Sequence, residues 1–113
     1  QEIKINNRRI NTVRIILNPD IIPDPDYVQN LSLKIIKDLE LKVVHETDFE
    51  FTLHGLTKVW ILSQSHLILH TWPEYSSIHI DLMTCNDIVS KSMLEKVFSS
   101  TSAKNIVISE LLY

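Results

Sequence analysis

The 113-residue chain predicts a single α+β domain, a two-layer sandwich with a mainly antiparallel sheet and two helices on one face, in the order β-α-β-β-β-α-β. Three observations lead there. Two stretches repeat apolar residues at helical spacing, and others alternate apolar and polar residues with period two. The strand-like stretches between the helices follow one another in series, which favours an antiparallel meander. A chain of this length holds one modest core, and it contains no linker, repeat or low-complexity segment.

Residues 1–11 are polar and aperiodic and are expected to form a mobile lead-in or a poorly packed first strand. Thr12 to Leu17 reads as a strand, ended by Asn18-Pro19-Asp20 and Pro23-Asp24-Pro25. Asp24 can cap a helix whose first residue is Pro25, where the missing N–H costs nothing, and Val28, Leu31, Ile35 and Leu39 then form an apolar stripe. Val43 to Leu53 alternates strictly and predicts a half-buried strand, with Val43, His45, Thr47, Phe49, Phe51 and Leu53 on one face. His54-Gly55 turns the chain at its only glycine. Val59 to Leu62 and Leu67 to Trp72 continue the β pattern until Pro73 interrupts it, and Ser77 to Thr84 alternates again. Asn86 and Asp87 open a second helix carrying Val89, Met93, Leu94, Val97 and Phe98, and Ile106 to Leu112 closes the chain as a strand.

Composition narrows the function. With 44% hydrophobic and 22% charged residues the chain is ordinary for a soluble domain, and no apolar run approaches the roughly 20 residues of a membrane-spanning helix. A net charge of −3 argues against a nucleic-acid partner, since backbone binding rests on clustered Lys and Arg. The single cysteine, Cys85, forms no internal disulfide, and the first residues lack a secretory pattern, so a cytoplasmic setting is expected. Gln1 in place of an initiator Met marks a processed, trimmed or fragmentary start.

Most of the available chemistry lies between Gly55 and Cys85: the pair Ser65-His66, His70, the Trp72-Pro73-Glu74 corner, and Cys85. A Ser-His dipeptide is common, and a tight turn explains a Gln-Ser-His break between apolar segments as readily as function does. Ser65, His70 and Cys85 offer a nucleophile, a proton carrier and an acid, whose convergence is a question for the fold. A metal site built on His66, His70, His79 and Cys85 draws on the same residues. Phe51 and Trp72 are equally well explained by core packing, and Glu74 after Pro73 by a solvated turn.

The run Ser63-Gln64-Ser65-His66-Leu67-Ile68-Leu69-His70-Thr71-Trp72-Pro73-Glu74-Tyr75, followed by Ile80-Asp81-Leu82-Met83-Thr84-Cys85, closely resembles the core of the prokaryotic-type S-adenosylmethionine decarboxylases, pyruvoyl enzymes that make their own prosthetic group. The likeness is strongest over residues 51–86 and persists as element order over 12–112. It implies that Ser65 attacks the carbonyl carbon of Gln64 to give an ester, that loss of the Ser65 α-proton breaks the chain, and that Ser65 becomes a pyruvoyl group. That ketone would take the substrate amine as a Schiff base while CO₂ leaves, with no metal. By the same resemblance, His70 is the base for chain breakage, Thr57 holds the intermediate of the acyl shift, and Cys85 returns a proton to the substrate. Phe51 matches an aromatic that stacks on adenine, Glu74 a carboxylate that takes the ribose hydroxyls, and Trp72 lines the same pocket. The product would supply aminopropyl groups for polyamine (spermidine) synthesis.

Three departures stand out: Gln64 replaces the family's usual glutamate, Lys58 stands where a glycine is common, and the family's Gly-x-His-Leu opening is absent. Losing the carboxylate at residue 64 bears on affinity for a cationic substrate but not on the acyl shift, which uses backbone. Lys58 is expected to point away from Thr57 by strand alternation. Decarboxylation of ornithine or arginine, or an uncleaved non-enzymatic homologue, are the competing readings. A homodimer is expected, because the family's sites lie at subunit contacts and one sheet face needs cover; Val44 and Trp60 are the candidates for it.

Overall fold

The computed structural model describes residues 11–52, 55–84 and 91–112. The expected turn at His54, the residue Cys85, the cap at Asn86-Asp87 and Val89 lie outside them, as do residues 1–10 of the lead-in. The elements are β1 (Asn11–Pro19), α1 (Pro25–Asp38), β2 (Val43–Glu50), β3 (Leu56–Leu62), β4 (Ser65–Trp72), a short 3-10 turn (Pro73–Tyr75), β5 (Ser77–Thr84), α2 (Lys91–Ser99) and β6 (Ala103–Leu112). The six strands form one antiparallel sheet in the order β2-β3-β4-β5-β1-β6. Both helices press their apolar stripes onto one face of it, which is the α+β architecture the sequence predicts.

Local chemistry explains where α1 begins. The Asp24 side chain accepts a hydrogen bond from Tyr27 N at 2.8 Å, Pro25 occupies the first turn, and Asp26 and Lys37 complement the helix dipole at the two ends. Val28 and Ile35 of α1 and Leu94 of α2 meet Ile15, Leu67, Leu69 and Ile80 of the sheet, all fully buried. Each such side chain contributes about 2 kcal/mol on burial.

The structure corrects the order β-α-β-β-β-α-β in one respect: among the described residues four strands, not three, separate the helices. Leu62 and Ser65 pair directly, so Ser63-Gln64 is a two-residue hairpin loop that reverses the chain between β3 and β4. The turn is hidden in the sequence because Gln64 takes the left-handed region, at φ 58°, without being Gly or Asn. A second correction concerns β2, which is exposed along its whole length rather than half-buried. It is an edge strand, and its register sets His45, Thr47 and Phe49 opposite Ile61, Val59 and Thr57, on the face away from the helices. A bulge between Val43 and His45 breaks the alternation at its start. Trp60, expected to need cover on the open face, instead lies under the helices and is 3% exposed. Alternation puts it on the side of Leu56, Lys58 and Leu62, whereas Val44 remains exposed.

Gly55 is required where it stands. Its φ is +90°, and a Cβ there would lie 2.8 Å from the backbone carbonyl oxygen of Thr71. Gly55→Ala is therefore expected to destabilise the fold by about 1–3 kcal/mol from backbone strain alone. Gln64→Gly should be neutral or stabilising by up to ~1 kcal/mol, because relief of the left-handed strain offsets the extra freedom of the unfolded chain. Urea midpoints of the two variants test both statements, and equal losses in the two would contradict the turn geometry.

Candidate active site on the open sheet face

In β4 the residues Leu67, Leu69 and Thr71 are buried beneath the helices, so His66, Ile68, His70 and Trp72 lie on the opposite face. Thr57 of β3 is the register partner of His70, and its Oγ1 sits 2.6 Å from His70 Nδ1. This is the shortest link between expected site residues. With the imidazole neutral, Nδ1 can accept the Thr57 hydroxyl proton; once the ring is protonated, Nδ1–H can only donate. Burial holds the His70 pKa below its ordinary value, nearby His79 lowers it further, and Glu74 opposes the shift.

Around this pair runs a row of rings in edge-to-face contact: Phe49 and Phe51 at 5.1 Å, Phe51 and His70 at 5.8 Å, His70 and Trp72 at 4.5 Å, Trp72 and His79 at 6.3 Å. Phe51 is 46% and Trp72 41% exposed, so neither packs in the core. Phe49 joins the row without having been singled out in the sequence, and His79, considered there only as a metal ligand, joins it as a ring. Phe49 lies two residues before Phe51 on the same strand face, a signal that was available, whereas His79 is found only through its pairing with His70. Glu74 is exposed on the 3-10 turn at the end of the row. Behind Phe51 a cavity of about 270 Å³ opens, lined by Ile22, Pro23, Gly55, Leu56, Thr71 and Pro73 among others.

Ser65 is not in this cluster. It opens β4 five residues before His70, a separation of about 16 Å at the usual strand rise, and its parity sets it on the helix side with Leu67. Gln64 is exposed at the tip of the hairpin. Cys85 lies outside the described residues. Of the other histidines, His66 Nε2 faces Asp81 Oδ2 at 3.4 Å, and Arg14 Nε stands 3.8 Å from the second Asp81 oxygen. Among the described residues no group of three or more metal-binding side chains comes together. Thr57, His70, Phe51 and Trp72 thus converge, and the Gln64-Ser65 bond stands apart from them.

The chain matches the family model for S-adenosylmethionine decarboxylase over residues 13–112. It is 35% identical over 71 residues to the S-adenosylmethionine decarboxylase proenzyme of Hydrogenobaculum sp., a match covering 63% of this chain and 53% of that one. It is 32% identical over 79 residues to the proenzyme of Archaeoglobus fulgidus, covering 70% of this chain and 68% of that one. It thus spans about half the length of the first relative and two thirds of the second. The crystal structure of the adenosylmethionine decarboxylase from Aquifex aeolicus shares the fold, with a TM-score of 0.74 at 20% identity, covering 92% of this chain and 88% of that one.

The lowered His70 pKa makes stability depend on pH with a definite sign. Below the ordinary value of 6.5 the unfolded chain takes up a proton that the folded chain resists, so the contribution is intact above that pH and is lost as pH falls through the folded value. His70→Gln should remove this component, leaving a flatter loss of stability between pH 6.5 and the onset of carboxylate titration. Urea midpoints measured across that window check it, and an unchanged slope would place the titration elsewhere.

Proposed function

The chain belongs to the S-adenosylmethionine decarboxylase family, and on that premise we propose that it is a self-processing pyruvoyl-dependent decarboxylase of S-adenosylmethionine that feeds polyamine synthesis. The observation that carries the reading is the 2.6 Å contact of Thr57 with a histidine whose pKa burial lowers, set in a row of rings in edge-to-face contact.

The residues present suit the making of the prosthetic group. A serine follows directly on an exposed, left-handed hairpin residue, so the bond to be rearranged lies at an accessible turn. Ser65 Oγ adds to the Gln64 carbonyl carbon, the C–N bond breaks, and an ester replaces the amide. Thr57 holds the tetrahedral oxygen during that transfer. His70 then removes the Ser65 α-proton, which expels the Gln64 carboxylate and leaves a dehydroalanine; water displaces its nitrogen as ammonia, giving the terminal pyruvoyl group. Once formed, that group supplies an electron sink for loss of CO₂. Phe51 and Trp72 offer faces for adenine, Glu74 offers two acceptor oxygens to the ribose, and Cys85 acts as proton donor. An aromatic row of this size favours an adenosyl substrate over ornithine or arginine. With Gln64 in place of a glutamate, the site has one carboxylate fewer for the sulfonium, and affinity is the property most exposed to that change.

A homodimer completes the arrangement. Within one chain His70 stands about 16 Å along β4 from Ser65 and on the other face, so the Thr57-His70 pair cannot serve its own scissile bond without rearrangement. If two open sheet faces pack about a two-fold axis, the hairpin tip of one protomer comes to the Thr57-His70 end of its partner, where a local turn of the tip is still needed to bring Ser65 from the helix side, and the reverse contact follows by symmetry. Exposed Ile61, Phe49 and Trp72 provide apolar area on that face for the contact. The reading assigns the chain to a cytoplasmic setting, with no metal, nucleic-acid or membrane partner.

Mass analysis after incubation should show a 64-residue fragment and a 49-residue fragment with a blocked N-terminus, and CO₂ should be released from S-adenosylmethionine in preference to ornithine or arginine. Ser65→Ala should stay one folded chain. Cys85→Ala should still cleave but turn over slowly, since breakage and reprotonation use different groups. Sedimentation should give a dimer at micromolar concentration. An intact chain that releases no CO₂ from any of the three substrates would leave a non-enzymatic homologue.

A further inference from the structure

Among the described residues, Lys58 alone carries a charge into the buried set, with its side chain 7% exposed. A buried ammonium needs partners, and both of its carboxylates come from the neighbouring edge strand. Lys58 Nζ donates to Glu46 Oε2 at 2.7 Å and lies 3.7 Å from Asp48 Oδ2. It also stands 4.7 Å from the centre of the Trp60 ring, whose burial fixes the lysine stem beneath the helices. Asp48 is the direct register partner of Lys58, and Glu46 is that of Trp60, so one cation ties two alternate positions of β2, on the same face, to β3. The hydrogen bond from Lys58 is the main cause that lowers the Glu46 pKa, consistent with a carboxylate held in its charged form.

The location of this clamp gives it a consequence for the site. Among the described residues strand β2 is hydrogen-bonded on one side only, and every residue of it is exposed, so burial does little to hold it. The pair next to Asp48-Lys58 is Phe49-Thr57, whose side chains project from the opposite face into the aromatic row and the Thr57-His70 contact. The clamp therefore sits directly behind the site, one residue along the ladder.

We propose that Lys58 is a positioning residue: by pinning Glu46 and Asp48 from the rear of the sheet, it fixes how closely Phe49 and Phe51 stand to His70, and so sets affinity for the adenine-bearing ligand. This rests on the reading of Phe51 as an adenine-stacking residue. Glycine at position 58 would leave the edge strand untied, and lysine at that position compensates for an aromatic row carried on a strand with no burial of its own.

Lys58→Met keeps an apolar stem against Trp60 and removes the ammonium. It should raise KM for S-adenosylmethionine about tenfold, the change produced by losing ~1.4 kcal/mol of binding, while kcat and the rate of chain cleavage stay near wild type. The double variant Glu46→Gln with Asp48→Asn alters only exposed side chains and should show the same rise, and adding it to Lys58→Met should bring no further change. Lys58→Arg should restore the KM. Amide exchange across β2 should quicken in Lys58→Met and not in Lys58→Arg. An unchanged KM in both the methionine and the double variant would overturn the proposal, as would a fall in kcat equal to the rise in KM. If wild type itself neither cleaves nor binds S-adenosylmethionine, the functional reading fails, and amide exchange still decides whether the clamp holds β2.

Discussion

The burial of Leu67 and Leu69 beneath the helices is the constraint on which the candidate site depends, because a strand cannot hide those side chains without turning His66, His70 and Trp72 the other way. A one-residue slip of β4 would expose both leucines, at a cost of about 2 kcal/mol each, and would bury an imidazole and an indole in their place. The register that brings Thr57 Oγ1 to His70 Nδ1 is thus set by apolar residues that take no part in the chemistry. The same logic runs through β3, where buried Leu56, Trp60 and Leu62 leave Thr57, Val59 and Ile61 on the open face. The geometry of the candidate site is a by-product of core packing on the reverse side of one sheet.

Much of that was legible in the sequence, and the failures have a common cause. The start of α1 is written in Asp24-Pro25, and the apolar stripes of both helices are plain at their spacing. Alternation identifies strands but not which face the helices cover, and there the reading of Trp60 and β2 went astray. Phe49 and Phe51 are the large apolar residues of their strand, so pattern alone assigns them to a core; the fold turns that face outward and sets Glu46, Asp48 and Glu50 toward the helix side at the sheet edge. Lys58 beside Trp60 masked the covered face of β3 in the same way. In the site, Thr57, His70, Phe51, Trp72 and Glu74 were reached through the motif, whereas the place of His79 beside His70, rather than in a metal site, comes from a register that no single strand encodes.

The edge strand shows how two requirements conflict and how polar contacts reconcile them. An aromatic row open to a ligand must be exposed, and exposure removes the burial that would otherwise hold the strand. At the other edge, β6 has no such conflict: it pairs with β1 along its length and packs Ile106 and Ile108 against the core. On β2 the ties are hydrogen bonds and charges instead. Those carboxylates serve a second end as well, since charge along an exposed edge discourages pairing with a foreign strand. A bulge at Val43-His45 adds to the same protection.

The hairpin between β3 and β4 carries the remaining tension. Gly55 has to be glycine because the Thr71 backbone approaches it, but at Gln64 the strain is torsional, at an exposed tip with room for a side chain. An isolated hairpin would tolerate such a tip poorly; this one is central, with β3 also paired to β2 and β4 also paired to β5. The surrounding ladders over-determine the turn and hold Gln64 in a conformation that it would leave if free. They also separate the fate of the turn from that of the fold. A break between Gln64 and Ser65 would sever the tip and leave each strand hydrogen-bonded on both sides, so the bond that follows the left-handed residue is one that the domain does not need in order to stay assembled.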